Sequence, residues 1–263
     1  MTVRCETRGP VLILTIDRPG ARNALDAATQ AALIAQWRHL RDDGDLRVAV
    51  LTGAGEAAFC AGADLRELGA YYRSMTPLER RERGETEPGL AGLTRNFDAR
   101  KPVIAAINGA CLAGGLELAL ACDIRVAAGH ATFGLPEVSR GILPGAGGTQ
   151  RLPRSLPRAV AMEMILSGAP IGADAALRWG LVSRVVPAPE LLDCALEIAG
   201  RIAANGPLAV RAARDAVLQG AALPLDQALR LEQFHAEPLR QSADAKEGVR
   251  AFIEKRPARF TGK

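Results

Sequence analysis

The sequence predicts an α/β fold, with an alternating strand-and-helix core followed by a helical C-terminal subdomain. Two observations carry this expectation. Short runs rich in Val and Ile, bounded by Gly, Pro, Asp or Asn, recur through the first half with helical patterns between them. From about residue 189 onward the apolar spacing is helical throughout. The boundary is placed there, with residues 1–188 as the α/β core and residues 189–263 as the helical subdomain.

Taken in order, Val11 to Ile16 reads as the first strand. Asp26 then stands where a helix N-cap belongs, and Leu33, Trp37 and Leu40 follow at i, i+4 and i+7, which puts them on one helical face. Val48 to Leu51, Val103 to Ile107 and Ile124 to Ala127 supply further strands. The charged segment Arg73 to Glu87, RSMTPLERRERGETE, reads as a solvated helix, with a flap over a site as the alternative. At the C-terminal end ELLDCALEIAGRIAAN, PLAVRAARDAVLQG, PLDQALRLEQFHAE and DAKEGVRAFIEKR are four helices, separated where Pro, Gly and Asn fall.

Composition narrows the function classes. Of 263 residues, 48% are apolar and 24% charged, the profile of an ordinary globular protein. The net charge of +4 is dispersed, only four of the 33 basic residues are lysines, and no aromatic stacking pattern accompanies them, which argues against a noncatalytic RNA-binding protein. Five cysteines, at 5, 60, 111, 122 and 194, match no zinc or disulfide spacing and point to a reducing, cytoplasmic setting. The N-terminal apolar run is too short for a signal sequence. The uncharged stretch Pro102 to Leu116 falls short of the roughly 20 apolar residues that a membrane span needs.

Several motifs imitate nucleotide or metal sites. TGAGEAA follows a strand, but FCAGADL brings another glycine turn where a dinucleotide fingerprint would open a helix. PGAGGTQR lacks the lysine of a P-loop, and no G-x-S-x-G elbow occurs. The three histidines lie far apart along the chain, so no metal site is expected.

A different signal comes from NGACLAGGLELALACD, residues 108–123. Glu117 sits among Leu116, Leu118, Ala119 and Leu120, so a helix carrying it must bury it. An unpartnered buried polar group costs roughly 2 to 7 kcal/mol, and an ionised one more, so something must compensate this carboxyl. The turns Ala61-Gly62-Ala63-Asp64 and Ala113-Gly114-Gly115 each precede a helix, where first-turn N–H groups are free and partly positive. Two such donors meeting on one oxygen would form an oxyanion hole. Glu137, after Pro136 in FGLPEVSRGILPGAGGTQRL, is a second candidate carboxyl at the start of a helix.

With these segments in view, the chain resembles the crotonase superfamily, and within it the enoyl-CoA hydratases. DRPGARNAL, FCAGADL, KPVIAAINGACLAGGLELALACDIR, FGLPEVSRGILPGAGGTQRLPR, ALRWGLVSRVV and KEGVRAFIEKRPARF carry the likeness along almost the whole chain. The resemblance implies a spiral of ββα units with the C-terminal helical subdomain packing at the interfaces of a homotrimer or dimer of trimers. It implies an acyl-CoA thioester as substrate and hydration of a trans-2-enoyl-CoA to a 3-hydroxyacyl-CoA, as in fatty acid β-oxidation. Carried over position by position, the oxyanion donors are Ala63 and Gly114 and the catalytic glutamates are Glu117 and Glu137. Having both glutamates favours water addition over the related reactions, a crotonobetainyl-CoA hydratase or a Δ3,Δ2-enoyl-CoA isomerase being the alternatives. Arg22, Ala61, Asp64 and Leu65 are expected along the coenzyme A path, and Phe252 and Lys255 at the adenine end of a neighbouring subunit's ligand. No metal or redox cofactor is implied, coenzyme A being part of the substrate. Ala113 departs from the pattern, since many hydratases have a third glycine there.

Overall fold

The computed structural model describes residues 2–263, apart from the side chains of residues 68–72. In chain order the elements are β1 (Val3–Arg8), β2 (Val11–Ile16), α1 (Ala27–Asp42), β3 (Val48–Gly53), β4 (Ala58–Cys60), α2 (Leu65–Ser74), α3 (Pro77–Thr86), β5 (Val103–Ile107), β6 (Ala110–Leu112), α4 (Gly114–Ala121), β7 (Ile124–Ala128) and β8 (Thr132–Gly134). There follow α5 (Gly148–Ser155), α6 (Arg158–Ser167), β9 (Ile171–Gly172), α7 (Ala173–Arg178), β10 (Arg184–Val186), α8 (Leu191–Ala203), α9 (Pro207–Gly220), α10 (Leu225–Ala236) and α11 (Ala243–Ile253).

The strands form two sheets. The larger is ordered β1-β2-β3-β5-β7-β10 and the smaller β4-β6-β8-β9. Consecutive strands such as β3 and β4, β5 and β6, or β7 and β8 give one member to each sheet, and each pair is followed by helical structure. This is the expected spiral of ββα units. All pairings are parallel except β1 with β2 and β8 with β9. Parallel strands covered on both faces read as continuous apolar runs, which is why β2, β3 and β5 are legible in the sequence.

The two faces of the large sheet feed different clusters. Leu12, Leu14 and Ile16 face the main core, which takes in Leu33, Trp37 and Leu40 of α1. Val11, Ile13, Val48, Val50 and Ile104 face α8, whose Ala195, Ala199 and Ala203 recur every four residues and let the helix lie close on the sheet. The Asp26 side chain accepts from the Thr29 amide at 2.7 Å, capping α1 as its position predicts. Trp37 donates its indole N–H to the Ala91 carbonyl at 2.8 Å, fixing the turn at Leu90–Gly92 over α1. After β3 the chain enters β4 rather than a helix, so TGAGEAA builds no dinucleotide site.

The segment at 73–87 is a helix in the main, with Thr76 and Glu79 forming a reciprocal capping box at the start of α3 and no buried residue along it. Among the described residues, no helix is long and apolar enough to cross a membrane.

Candidate active site

The site is assembled by the small sheet. β4 and β6 are neighbouring parallel strands, so the turns after them emerge side by side at their carboxyl ends. Those turns are Ala61–Asp64 and Ala113–Gly114. Their contact is close: a Cβ built on Gly62 would stand 2.8 Å from the Gly114 amide nitrogen, and one built on Gly114 would stand 3.5 Å from the Ala63 amide nitrogen. Gly62, at φ +91°, is required on both counts. A Cβ on Gly115 would fall on the Cys60 carbonyl, and one on Gly114 on the Leu90 side chain, so the pair of glycines in CLAGGLE is set by packing. Ala113 adopts φ 51°, ψ −130°, a backbone conformation that glycine tolerates and alanine holds only under strain.

The outcome is two free donors. Leu25 donates to the Gly62 carbonyl and Asp64 donates to the Leu25 carbonyl, so the bridge between Leu25 and Ala63 does not use the Ala63 N–H. Gly114 opens α4, whose cap offers no side-chain acceptor. Among the described residues neither the Ala63 nor the Gly114 N–H has a partner, and the two lie on turns in close contact, so the structure places the two expected donors near each other.

Glu117 follows in the first turn of α4, a helix buried from Gly114 to Leu120. Its burial is compensated by a loop the sequence reading sets aside. Glu117 Oε1 accepts from the Ala146 amide at 2.7 Å and the Gly148 amide at 2.8 Å, both within PGAGG. A glycine-rich turn with exposed amides cradles an anion, and here the anion is a carboxylate rather than a phosphate. A Cβ on Gly148 would press 3.1 Å from Glu117 Oε1. Burial raises the Glu117 pKa above its ordinary value, while the two amides and then the Arg151 and Arg95 guanidiniums pull it back. Arg151 is held by the carbonyls of Thr94 and Ala146.

Glu137 lies, as expected, in the first turn of a helix that follows Leu135, here a short 3-10 helix, Pro136–Arg140, which Gly141 at φ 70° ends after five residues. It is buried, and its Oε2 has no hydrogen-bond partner. Burial pushes its pKa up to about 7, with the nearby Glu117 charge adding to the rise. The two carboxyls are thus brought into electrostatic contact but housed differently.

A family model described as enoyl-CoA hydratase/isomerase matches residues 6–263. The chain belongs to the enoyl-CoA hydratase/isomerase family. Within this crotonase superfamily it is 43% identical over 262 residues to the (E)-benzylidenesuccinyl-CoA hydratase of Thauera aromatica, covering 100% of both chains. It is 44% identical to the carnitinyl-CoA dehydratase of Proteus mirabilis, covering 98% of this chain and 97% of that one. The crystal structure of enoyl-CoA hydratase EchA1 from Mycobacterium marinum superposes with a TM-score of 0.90 at 42% identity, covering 100% of this chain and 99% of that one. That of enoyl-CoA hydratase from Bacillus anthracis gives 0.90 at 38%, covering 100% of each.

The residues expected along the coenzyme A path separate into two groups. Arg22 accepts the Ala61 amide on its carbonyl at 3.1 Å, so Arg22, Ala61, Asp64 and Leu65 form one neighbourhood beside the oxyanion turn. Asp64 caps α2 by accepting from the Arg66 amide and pairs with Arg18, which also binds the α1 cap Asp26. Its carboxylate is therefore engaged in fixing the turn. Phe252 and Lys255 are exposed at the end of α11, with no hydrogen bond or ion pair to that turn among the described residues. Arg95, Arg151 and the amides of Ala146 and Gly148 are contributors that sequence reasoning missed. The glycines of PGAGG were the available signal.

Proposed function

We propose that this crotonase-family hydratase of CoA thioesters adds water reversibly across the 2,3 double bond of a trans-2-enoyl-CoA to give the 3-hydroxyacyl-CoA. The observation that carries the reading is the pair of buried carboxyls in unlike settings, next to two free amides that meet across Gly62 and Gly114. The Ala146 and Gly148 amides favour the ionised form of Glu117, which suits a base. Glu137, with no donor on Oε2 and a pKa near the working range, suits an acid.

Glu117 takes a proton from water as its oxygen bonds to C3. The electron pair of the double bond moves toward the thioester, whose oxygen receives the Ala63 and Gly114 N–H groups as it becomes negative. Glu137 delivers its proton to C2 as the enolate collapses, and the proton gained by Glu117 returns to Glu137 when product leaves. Water is the nucleophile and hydrogen bonds hold the enolate, so this reaction calls for no metal or redox group. The exposed Leu65 beside the oxyanion turn offers an apolar surface to the pantetheine arm, with Arg22, Ala61 and Asp64 forming the wall behind it. Leu225, Leu229, Phe234, Phe252 and Ile253 leave apolar surface on α10 and α11 that a homotrimer or dimer of trimers would cover. In that assembly Phe252 and Lys255 would reach a neighbour's adenine.

Product analysis tests the reaction. With trans-2-hexenoyl-CoA in heavy-oxygen water, the reading predicts 3-hydroxyhexanoyl-CoA carrying the heavy oxygen. A moved double bond without label would make the protein an isomerase instead.

A further inference from the structure

A cleft of about 490 Å³ opens between α3 and the chain at Arg95 and Asn96, lined by Arg80, Arg81, Gly84, Glu85, Arg95 and Asn96. Its three guanidiniums are not equivalent. Arg81 pairs with Glu85 at 3.4 Å, one turn along α3, so those two charges offset each other. Arg80 donates to the Met75 carbonyl at the helix start. Arg95 has neither hydrogen bond nor ion pair from its side chain among the described residues. The guanidinium lies against Gly84, 3.8 Å from where a Cβ would stand, and Asn96 ties the loop to α3 by donating to the carbonyls of Gly84 and Glu87 at 2.9 Å each.

The same loop joins this cleft to the reacting centre. Leu90 rests on Gly114, the Thr94 carbonyl accepts from Arg151 at 2.8 Å, and Arg95 is close enough to Glu117 to act on its charge. The loop that carries Arg95 thus passes beside Gly114 and the Arg151 that faces Glu117 before it reaches the cleft. Resting on the hydratase reading above, we propose that Arg95 receives a carboxylate at the far end of the acyl group, so that the favoured substrates are CoA monothioesters of unsaturated dicarboxylic acids. The planar fork of a guanidinium matches a carboxylate with two parallel N–H bonds, and Arg80 adds positive charge to the same wall. An acyl group ending in a quaternary ammonium meets repulsion there.

Binding of saturated analogues to the full-length protein, measured by calorimetry, tests the proposal apart from turnover. Glutaryl-CoA and butyryl-CoA share a thioester and a short chain and differ in the terminal carboxylate. Glutaryl-CoA is expected to bind about tenfold more tightly to the wild type, and Arg95→Gln to remove most of that difference, with Arg95→Lys keeping part of it. Equal affinities in the wild type overturn the proposal. So does an equal loss on both ligands in Arg95→Gln, which would mean that Arg95 meets the phosphates of coenzyme A. A glutaryl-CoA preference without hydration of glutaconyl-CoA would sink the reaction and keep the carboxylate. Hydration of crotonyl-CoA without the preference would do the reverse.

Discussion

Around Gly62 and Gly114 the chain leaves no room for a methyl group, whereas around Arg95 it leaves a cleft of about 490 Å³. The first region is built from backbone: two amides, two glycines pressed against each other, and a carboxyl bound by two further amides. The second is built from exposed side chains on a solvated helix and the loop beside it. On the proposed hydratase reading, the contrast separates two tasks. Parts that hold a transition state must not yield, and close-packed backbone is the stiffest material available. Parts that choose among acyl groups can vary one side chain at a time without disturbing the enolate site.

The largest effect that distinguishes the regions is expected at Glu117. Glu117→Gln keeps the shape but removes the proposed base, and kcat for crotonyl-CoA hydration should fall by about 10²- to 10⁴-fold. Next comes Gly62→Ala, whose methyl group would stand 2.8 Å from the Gly114 nitrogen at a φ of +91°. It should push the two amides apart and lower kcat by about 10²- to 10³-fold, the loss typical of one oxyanion donor. If Gly62→Ala kept full activity, the two turns would not form the enolate site.

Glu137→Gln should act on stability in the opposite sense to activity. The folded pKa of Glu137, about 7, lies above the ordinary carboxyl value, so the folded state holds its proton longer than the unfolded one. Its ionisation therefore destabilises the fold as pH rises from the unfolded value through about 7, and below that window the residue costs nothing. Denaturant unfolding should find Glu137→Gln more stable than wild type by about 1 to 3 kcal/mol at pH near 8, and nearly equal at pH near 4. The smallest effect belongs to the rim. Thr76→Ala breaks the capping box of α3, should cost at most about 1 kcal/mol, and should leave crotonyl-CoA hydration as it was. A large loss of hydration would show that α3 serves the chemistry after all.

Much of the architecture can be read from the chain, for reasons visible in it. Leu33, Trp37 and Leu40 show a helical stripe because α1 buries one face, and β2, β3 and β5 show unbroken apolar runs because their sheet is covered on both sides. β1 escapes notice since only Val3 of its six residues is buried, which leaves no apolar alternation. β4, β6 and β8 are three residues each and vanish inside loop-like segments. Glu117 stands out because a carboxyl among leucines needs an explanation, and the crotonase likeness supplies its partner Glu137. The anchor for Glu117 does not stand out: PGAGG reads as a failed phosphate loop until the fold brings Ala146 and Gly148 to a residue about thirty positions earlier. Arg95 carries no local signal at all, since its closeness to Glu117 is purely tertiary.

If one of the two buried carboxyls holds a proton while the other does not, the pH dependence of kcat/KM for crotonyl-CoA hydration must show it. We predict a bell-shaped profile, whose falling limb lies near pH 7 as Glu137 loses the proton it must deliver, and whose rising limb follows ionisation of Glu117. A profile that stays level, or climbs, from pH about 7 to about 9 would contradict a protonated Glu137 as the acid.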